Sequence, residues 1–115
     1  MKIVRMYTGK DGKTHFEETK PALKAEGKFS TADLIKVGGA PILRLATGTM
    51  PEDHTAPRRQ YLVMLEGRVD VISTNGTRRT LETGDILQAE DVTGEGHLVT
   101  MNGCQKWAAV MVPMA

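Results

Sequence analysis

The chain has 115 residues, the length of one domain that can bury a core of its own. Its 15 basic and 14 acidic side chains leave a formal net charge of +1, which excludes the strong basic bias of nucleic-acid-binding domains and the bias of acidic tails. Hydrophobic residues make up 40% and charged residues 25%, globular proportions, and the single cysteine, Cys104, excludes an internal disulfide.

The opening stretch "MKIVRMYTGKDGKTHFEE" meets charge too early for a signal peptide, and no apolar run approaches the length of a membrane span. A cytoplasmic protein with no membrane and no nucleic-acid partner is expected. Further along, "THFEE" (14–18) reads as a strand and residues 20–28 as a solvated loop. "STADLIKVGG" (30–39) starts with a helix-capping residue, Ser30 or Thr31, but reaches Gly38-Gly39 after two turns; it reads as a short turn or strand segment. "PILRLATG" (41–48) is a strand with Leu43 and Leu45 on one face. "QYLVMLEG" (60–67) is apolar on both faces, the pattern of a central strand covered on both sides. "RVDVIS" (68–73) and "RRTLE" (78–82) flank Asn75-Gly76, a hairpin signal because both residues tolerate positive φ. Gly84-Asp85 makes a second turn before "ILQAE" (86–90), and "HLVTM" (97–101) and "KWAAVMVP" (106–113) complete the series. Twelve glycines, five prolines and no helix of ordinary length predict an all-β fold, a sandwich or a closed barrel.

Two stretches carry a pattern beyond this punctuation. In "GTMPEDHTAPRRQYLVMLEG", Gly48, His54, Gln60 and Gly67 fall at the intervals of G-x5-H-x-H-x3-E-x6-G, the first motif of the cupins. "GDILQAEDVTGEGH", from Gly84 to His97, resembles the second cupin motif. The chain therefore resembles a small single-domain cupin over roughly residues 41–113. The resemblance implies a cupin-type jelly-roll β-barrel over 41–115, with residues 1–40 as N-terminal strands and loops that cover the barrel or a dimer interface. The motifs are altered, however. Ala56 replaces the second histidine, Gln60 replaces the glutamate, Glu90 replaces the proline of the second motif, and His97 arrives two residues late.

What the resemblance implies about chemistry follows from those substitutions. The family's three histidines and one carboxylate bind Fe, Mn, Ni, Cu or Zn. Here the implied metal set shrinks to His54, Gln60 and His97, so a divalent metal is expected to bind weakly. His54 and His97 are also the candidate catalytic residues. Water, a substrate carboxylate, Glu95 or Asp91 would complete the shell; the plain alternative is two interior histidines bonded to their neighbours. Arg58 and Arg59 lie where the chain passes from one strand to the next, and alternation sends one outward and the other toward the cavity. An inward guanidinium matches a carboxylate or phosphate, so Arg58, Arg59 and Gln60 are candidate ligand-binding residues for an anionic organic molecule. The competing assignment pairs both arginines with Glu52, Asp53 or Glu66.

Three functions fit this pattern. The first is a pocket for an anionic small molecule, extending to a metal-dependent enzyme of small-molecule metabolism. The second is a non-catalytic ligand-binding or sensory cupin whose metal site has decayed. The third is a metal-free isomerase or epimerase using histidine as general acid–base, with Asp85, Asp91 or Glu95 as partner of His97. His15 is read as a half-exposed strand histidine or an interfacial one, and Cys104 as unreactive, with only Lys106 charged nearby. Trp107 packs against the barrel wall or a partner, and the second apolar face of "QYLVML" and "WAAVMV" predicts a homodimer.

Overall fold

The structure is a computed structural model and describes residues 2–20, 22–31, 38–47 and 50–115. Gly48 of the first motif and residues 32–37 of the "STADLIKVGG" segment lie outside the described residues. Twelve strands and no helix are found among those described. In chain order they are β1 (Ile3–Thr8), β2 (Thr14–Thr19), β3 (Lys24–Glu26), β4 (Phe29–Thr31), β5 (Ile42–Thr47) and β6 (Met50–His54). There follow β7 (Gln60–Glu66), β8 (Arg68–Ser73), β9 (Arg78–Glu82), β10 (Ile86–Glu90), β11 (His97–Met101) and β12 (Lys106–Pro113). They form a six-stranded sheet, β2-β1-β10-β7-β12-β5, a four-stranded sheet, β6-β11-β8-β9, and the small hairpin β3-β4.

From β7 to β12 each strand lies where its residue pattern predicts it. β7 is apolar on both faces because it sits between β10 and β12 in the larger sheet. Met64 points with Val4, Met6, Leu87 and Met111 into the main core, which the smaller sheet completes with Val69, Val71 and Leu81. Tyr61 points the other way, into a second cluster with Ile3 and Ile86. Each large apolar side chain hidden in this way contributes about 1.5–3 kcal/mol.

The N-terminal region departs from the expectation in two places. Residues 24–26 and 29–31 pair as a hairpin inside and beside the stretch read as solvated loop, although the side chains of Leu23, Lys24 and Ala25 are exposed. β1, to which the sequence analysis assigned no strand, pairs in parallel with β10, with Val4 opposite Leu87 and Met6 opposite Ala89. Its signal was the alternation of Val4 and Met6, both completely buried, with Arg5. β1 and β2 thus supply two of the six strands of the larger sheet.

The Asn75-Gly76 hairpin also forms by a different route from the predicted one. Only Gly76 takes positive φ, 87°, and no described non-glycine residue does. Asn75 instead accepts the Thr77 backbone N–H on its Oδ1 at 2.9 Å, while the Gly76 N–H donates to the Ser73 carbonyl. A side-chain oxygen stands in for the second left-handed residue.

Candidate functional site

The site is assembled where β6 and β11 meet at the end of the cavity between the sheets. His54 ends β6, His97 begins β11, and the two are direct partners across the antiparallel pair. Their ring centroids lie 4.5 Å apart with planes tilted by 55°. This approach depends on Gly96. Its φ of 79° is a left-handed conformation, and a Cβ there would collide with the His54 carbonyl.

The hydrogen bonds of each ring determine its tautomer. His97 Nδ1–H donates to Asp91 Oδ2 at 2.6 Å, with both side chains buried. His54 Nδ1–H donates to the Glu52 carbonyl at 3.2 Å. In the neutral form of either ring these bonds place the proton on Nδ1 and leave the Nε2 lone pair to accept a proton or bind a metal. Of the three carboxylates offered by the sequence as partners for His97, the fold selects Asp91. Asp85 instead receives Lys2 Nζ at 2.7 Å, and Glu95 receives Lys13 Nζ at 3.1 Å. The Asp85 carboxyl pays desolvation on burial, but its bonds to Lys2 and the Glu82 N–H outweigh this and hold it below the usual aspartate range.

Asp91 is fully buried and is held by more than His97. Its Oδ2 also accepts the Thr14 hydroxyl at 2.8 Å, and Ser73 Oγ donates to the Thr14 carbonyl at 2.6 Å. Among the described residues, Asp91 Oδ1 has no hydrogen-bond partner. Sequence reasoning missed Thr14 as a support of the site. Its partner is 77 positions away, so no local pattern signals it. The loop between β10 and β11 is pinned further by the Glu95 N–H on the Gly12 carbonyl at 2.9 Å and by the Thr8 hydroxyl on the Thr93 carbonyl.

The cavity has a volume of about 470 Å³. His54, His97, Thr55 and Gln60 form its polar part; Trp107 and Met111 are among the hydrocarbon-bearing side chains that line the rest. Gln60 is buried, and its Oε1 accepts Arg58 Nε–H at 3.1 Å. Arg58 is itself exposed, and neither it nor Arg59 lines the cavity. Arg59 donates from Nε to Glu90 Oε1 at 3.1 Å, and Arg5 donates to the same carboxylate from Nε. Burial alone would raise the Glu90 pKa, but the two arginines prevail and hold it below the usual glutamate range. The guanidinium expected to turn into the cavity is thus not found there: both arginines are exposed, Arg59 bonded to Glu90 and Arg58 to the side chain of Gln60.

No group of three or more His, Cys, Asp or Glu side chains arranged to hold a metal occurs among the described residues. The donors present are two imidazole nitrogens, with open positions left for other ligands. Two such donors are too few for a closed structural metal site. Elsewhere, His15 Nε2 meets Asp11 at 2.9 Å and its ring stacks on Tyr7 in a half-exposed setting. Cys104 Sγ–H donates to the Arg68 carbonyl at 3.2 Å. Among the described residues no helix is long and apolar enough to cross a membrane.

Comparison with known proteins adds no relative: no protein-family model and no curated protein matches this chain.

Proposed function

We propose that the chain is a cupin-type jelly roll whose inter-sheet cavity binds a small anionic organic molecule beside a two-histidine metal centre. One observation carries this reading: two imidazoles stand with ring centroids 4.5 Å apart at a cavity of about 470 Å³, each with its Nδ1 bonded to a neighbour. A volume of this size falls within the range of roughly 300–1,000 Å³ typical of small-ligand sites. His54 and His97 are the residues that would hold a divalent cation. When bound, such a cation would supply Lewis acidity. Asp91 orients His97, and the hydrocarbon walls exclude water. A cytoplasmic homodimer belongs to the same reading.

Elemental analysis of untagged protein, followed by zinc and nickel titration, tests the centre. Wild type takes up metal, and His54→Ala with His97→Ala abolishes that uptake. Undiminished uptake in the double variant assigns the metal to other residues.

A second reading rests on the Asp91–His97 contact itself. A buried carboxylate on Nδ1 orients the ring and stabilises it when Nε2 takes a proton, the arrangement of a general base in a metal-free isomerase or epimerase. Activity that persists in chelator and disappears in His97→Asn would favour it. A sensory cupin without turnover is the third alternative, and its ligand would be recovered unchanged after incubation.

A further inference from the structure

The charge balance of the cavity wall narrows the ligand class. Among the described residues, no Asp, Glu, Lys or Arg side chain lines the cavity. A carboxylate or ammonium head would therefore leave water without meeting an opposite charge, and burying an unpaired ion is costly. An uncharged head meets no such penalty. The rest of the wall suits an aromatic body. Trp107 offers an indole ring, and Met6 and Met111 offer thioethers, which attract aromatic rings.

The polar groups of the wall decide what kind of uncharged head fits. His97 Nδ1 stands 2.6 Å from Asp91 Oδ2, and His54 Nδ1 stands 3.2 Å from the Glu52 carbonyl oxygen. A carboxylate and a carbonyl accept, so in the neutral rings Nδ1 carries the proton and Nε2 can only accept. Thr55 and Gln60, the other polar side chains described in the wall, each combine donor and acceptor. The two imidazoles thus tip the balance toward acceptors, and the matching ligand brings a donor. His97 has the greater need of it: His97 is 5% exposed, whereas His54 is half-buried and within reach of water. A ligand that dries the cavity without donating to His97 leaves Nε2 unpaired against hydrocarbon.

We propose that the cavity takes a phenol: an aromatic body that lies along Trp107 and Met111, and one hydroxyl that donates to His97 Nε2. Asp91 is a positioning residue: it holds the imidazole in the tautomer that accepts. A phenol, which titrates near about 10, stays neutral at neutral pH, whereas a carboxyl group, near about 4, has lost its proton. An aliphatic alcohol is also neutral, but it is a weaker donor and brings no ring to Trp107. The inference rests on the ligand-cavity reading above and specifies how that reading's anion arrives, as its neutral conjugate acid.

Calorimetric titration of chelator-treated full-length protein at neutral pH tests the head and the body in turn. Para-ethylphenol is compared with para-ethylanisole, para-ethylbenzoate and para-ethylbenzylamine, which keep the ring and change the head. Para-ethylcyclohexanol keeps the hydroxyl and loses the aromatic ring. The phenol is expected to bind at least about tenfold more tightly than the ether, the carboxylate and the amine, because a site that pairs a hydroxyl rejects analogues that leave its partner unpaired. It is also expected to bind more tightly than the cyclohexanol. His97→Leu lowers the phenol-to-anisole affinity ratio at least about tenfold. The same substitution is made together with Asp91→Asn, which leaves no buried carboxylate without its ring, and the same fall is expected. Equal binding of phenol and anisole, tighter binding of the benzoate, the amine or the cyclohexanol, or an unchanged ratio in the folded His97 variants overturns the inference. Probes that bind without preference for the phenol refute the ligand class alone, whereas failure of every probe to bind refutes the ligand cavity with it.

Discussion

Among the described residues, the buried Asp91 carboxyl group accepts two hydrogen bonds, from His97 Nδ1 and the Thr14 hydroxyl. Asp91→Ala removes the acceptor and leaves a buried imidazole N–H unpaired. The expected cost is about 2–3 kcal/mol in urea unfolding. Zinc affinity should also fall roughly 10- to 100-fold, since outer partners orient metal-bound histidines. Stability lost without any change in zinc affinity would reduce Asp91 to a packing role. Glu90 gives a pH prediction. Its folded pKa is depressed, since its bonds to Arg59 and Arg5 outweigh the opposing cost of burial. A depressed carboxylate contributes stability above its unfolded pKa and loses it as pH falls through the folded value. Wild type is therefore expected to weaken below the ordinary glutamate range, and Glu90→Gln to weaken less steeply there. Parallel curves for the two proteins would show that the pair contributes nothing to the acid sensitivity.

At the scale of elements, the β6–β11 junction determines whether a site exists at all. The register shifts between His97 and Val99, and Gly96 makes the left-handed turn that lays the loop against His54. Gly96→Ala meets both an unfavourable φ and the His54 carbonyl. It is expected to cost at least about 1–2 kcal/mol and to separate the two rings. Thermal melting and metal uptake should fall together, and wild-type uptake in a folded variant would contradict this account of the turn. The strand pattern of β7 to β12 could be read in the sequence because alternation, glycine turns and two-sided apolarity are local signals. β6, "MPEDH", could not: it is polar, contains a proline, and is held as a strand by pairing with β11.

Across the whole molecule, the two ends of the larger sheet differ. β2 carries exposed Glu17 and Glu18, charges that discourage strand pairing. β5, at the other end, exposes Ile42 at 43% and Leu43 at 69%. We propose that a second copy covers this end, in the homodimer expected from the surplus of apolar residues. Sedimentation velocity should give twice the 12.6 kDa chain mass, and Leu43→Glu should shift it toward the single chain. A wild-type mass of one chain would remove the dimer.

The residues alone determined the all-β class, the order of strands from β7 onward, and the candidacy of His54 and His97. Each of these follows from period-two alternation, backbone-permissive glycines or the spacing of a motif, all properties of short stretches. Only the tertiary structure decided that Asp91, rather than Asp85 or Glu95, meets His97, that Thr14 supports it, that Gln60's oxygen belongs to Arg58, and that Arg59 is committed to Glu90. Those outcomes depend on contacts between strands far apart in the chain, such as β1 with β10. Closing such loops is a property of the assembled sheets, to which no window of sequence has access.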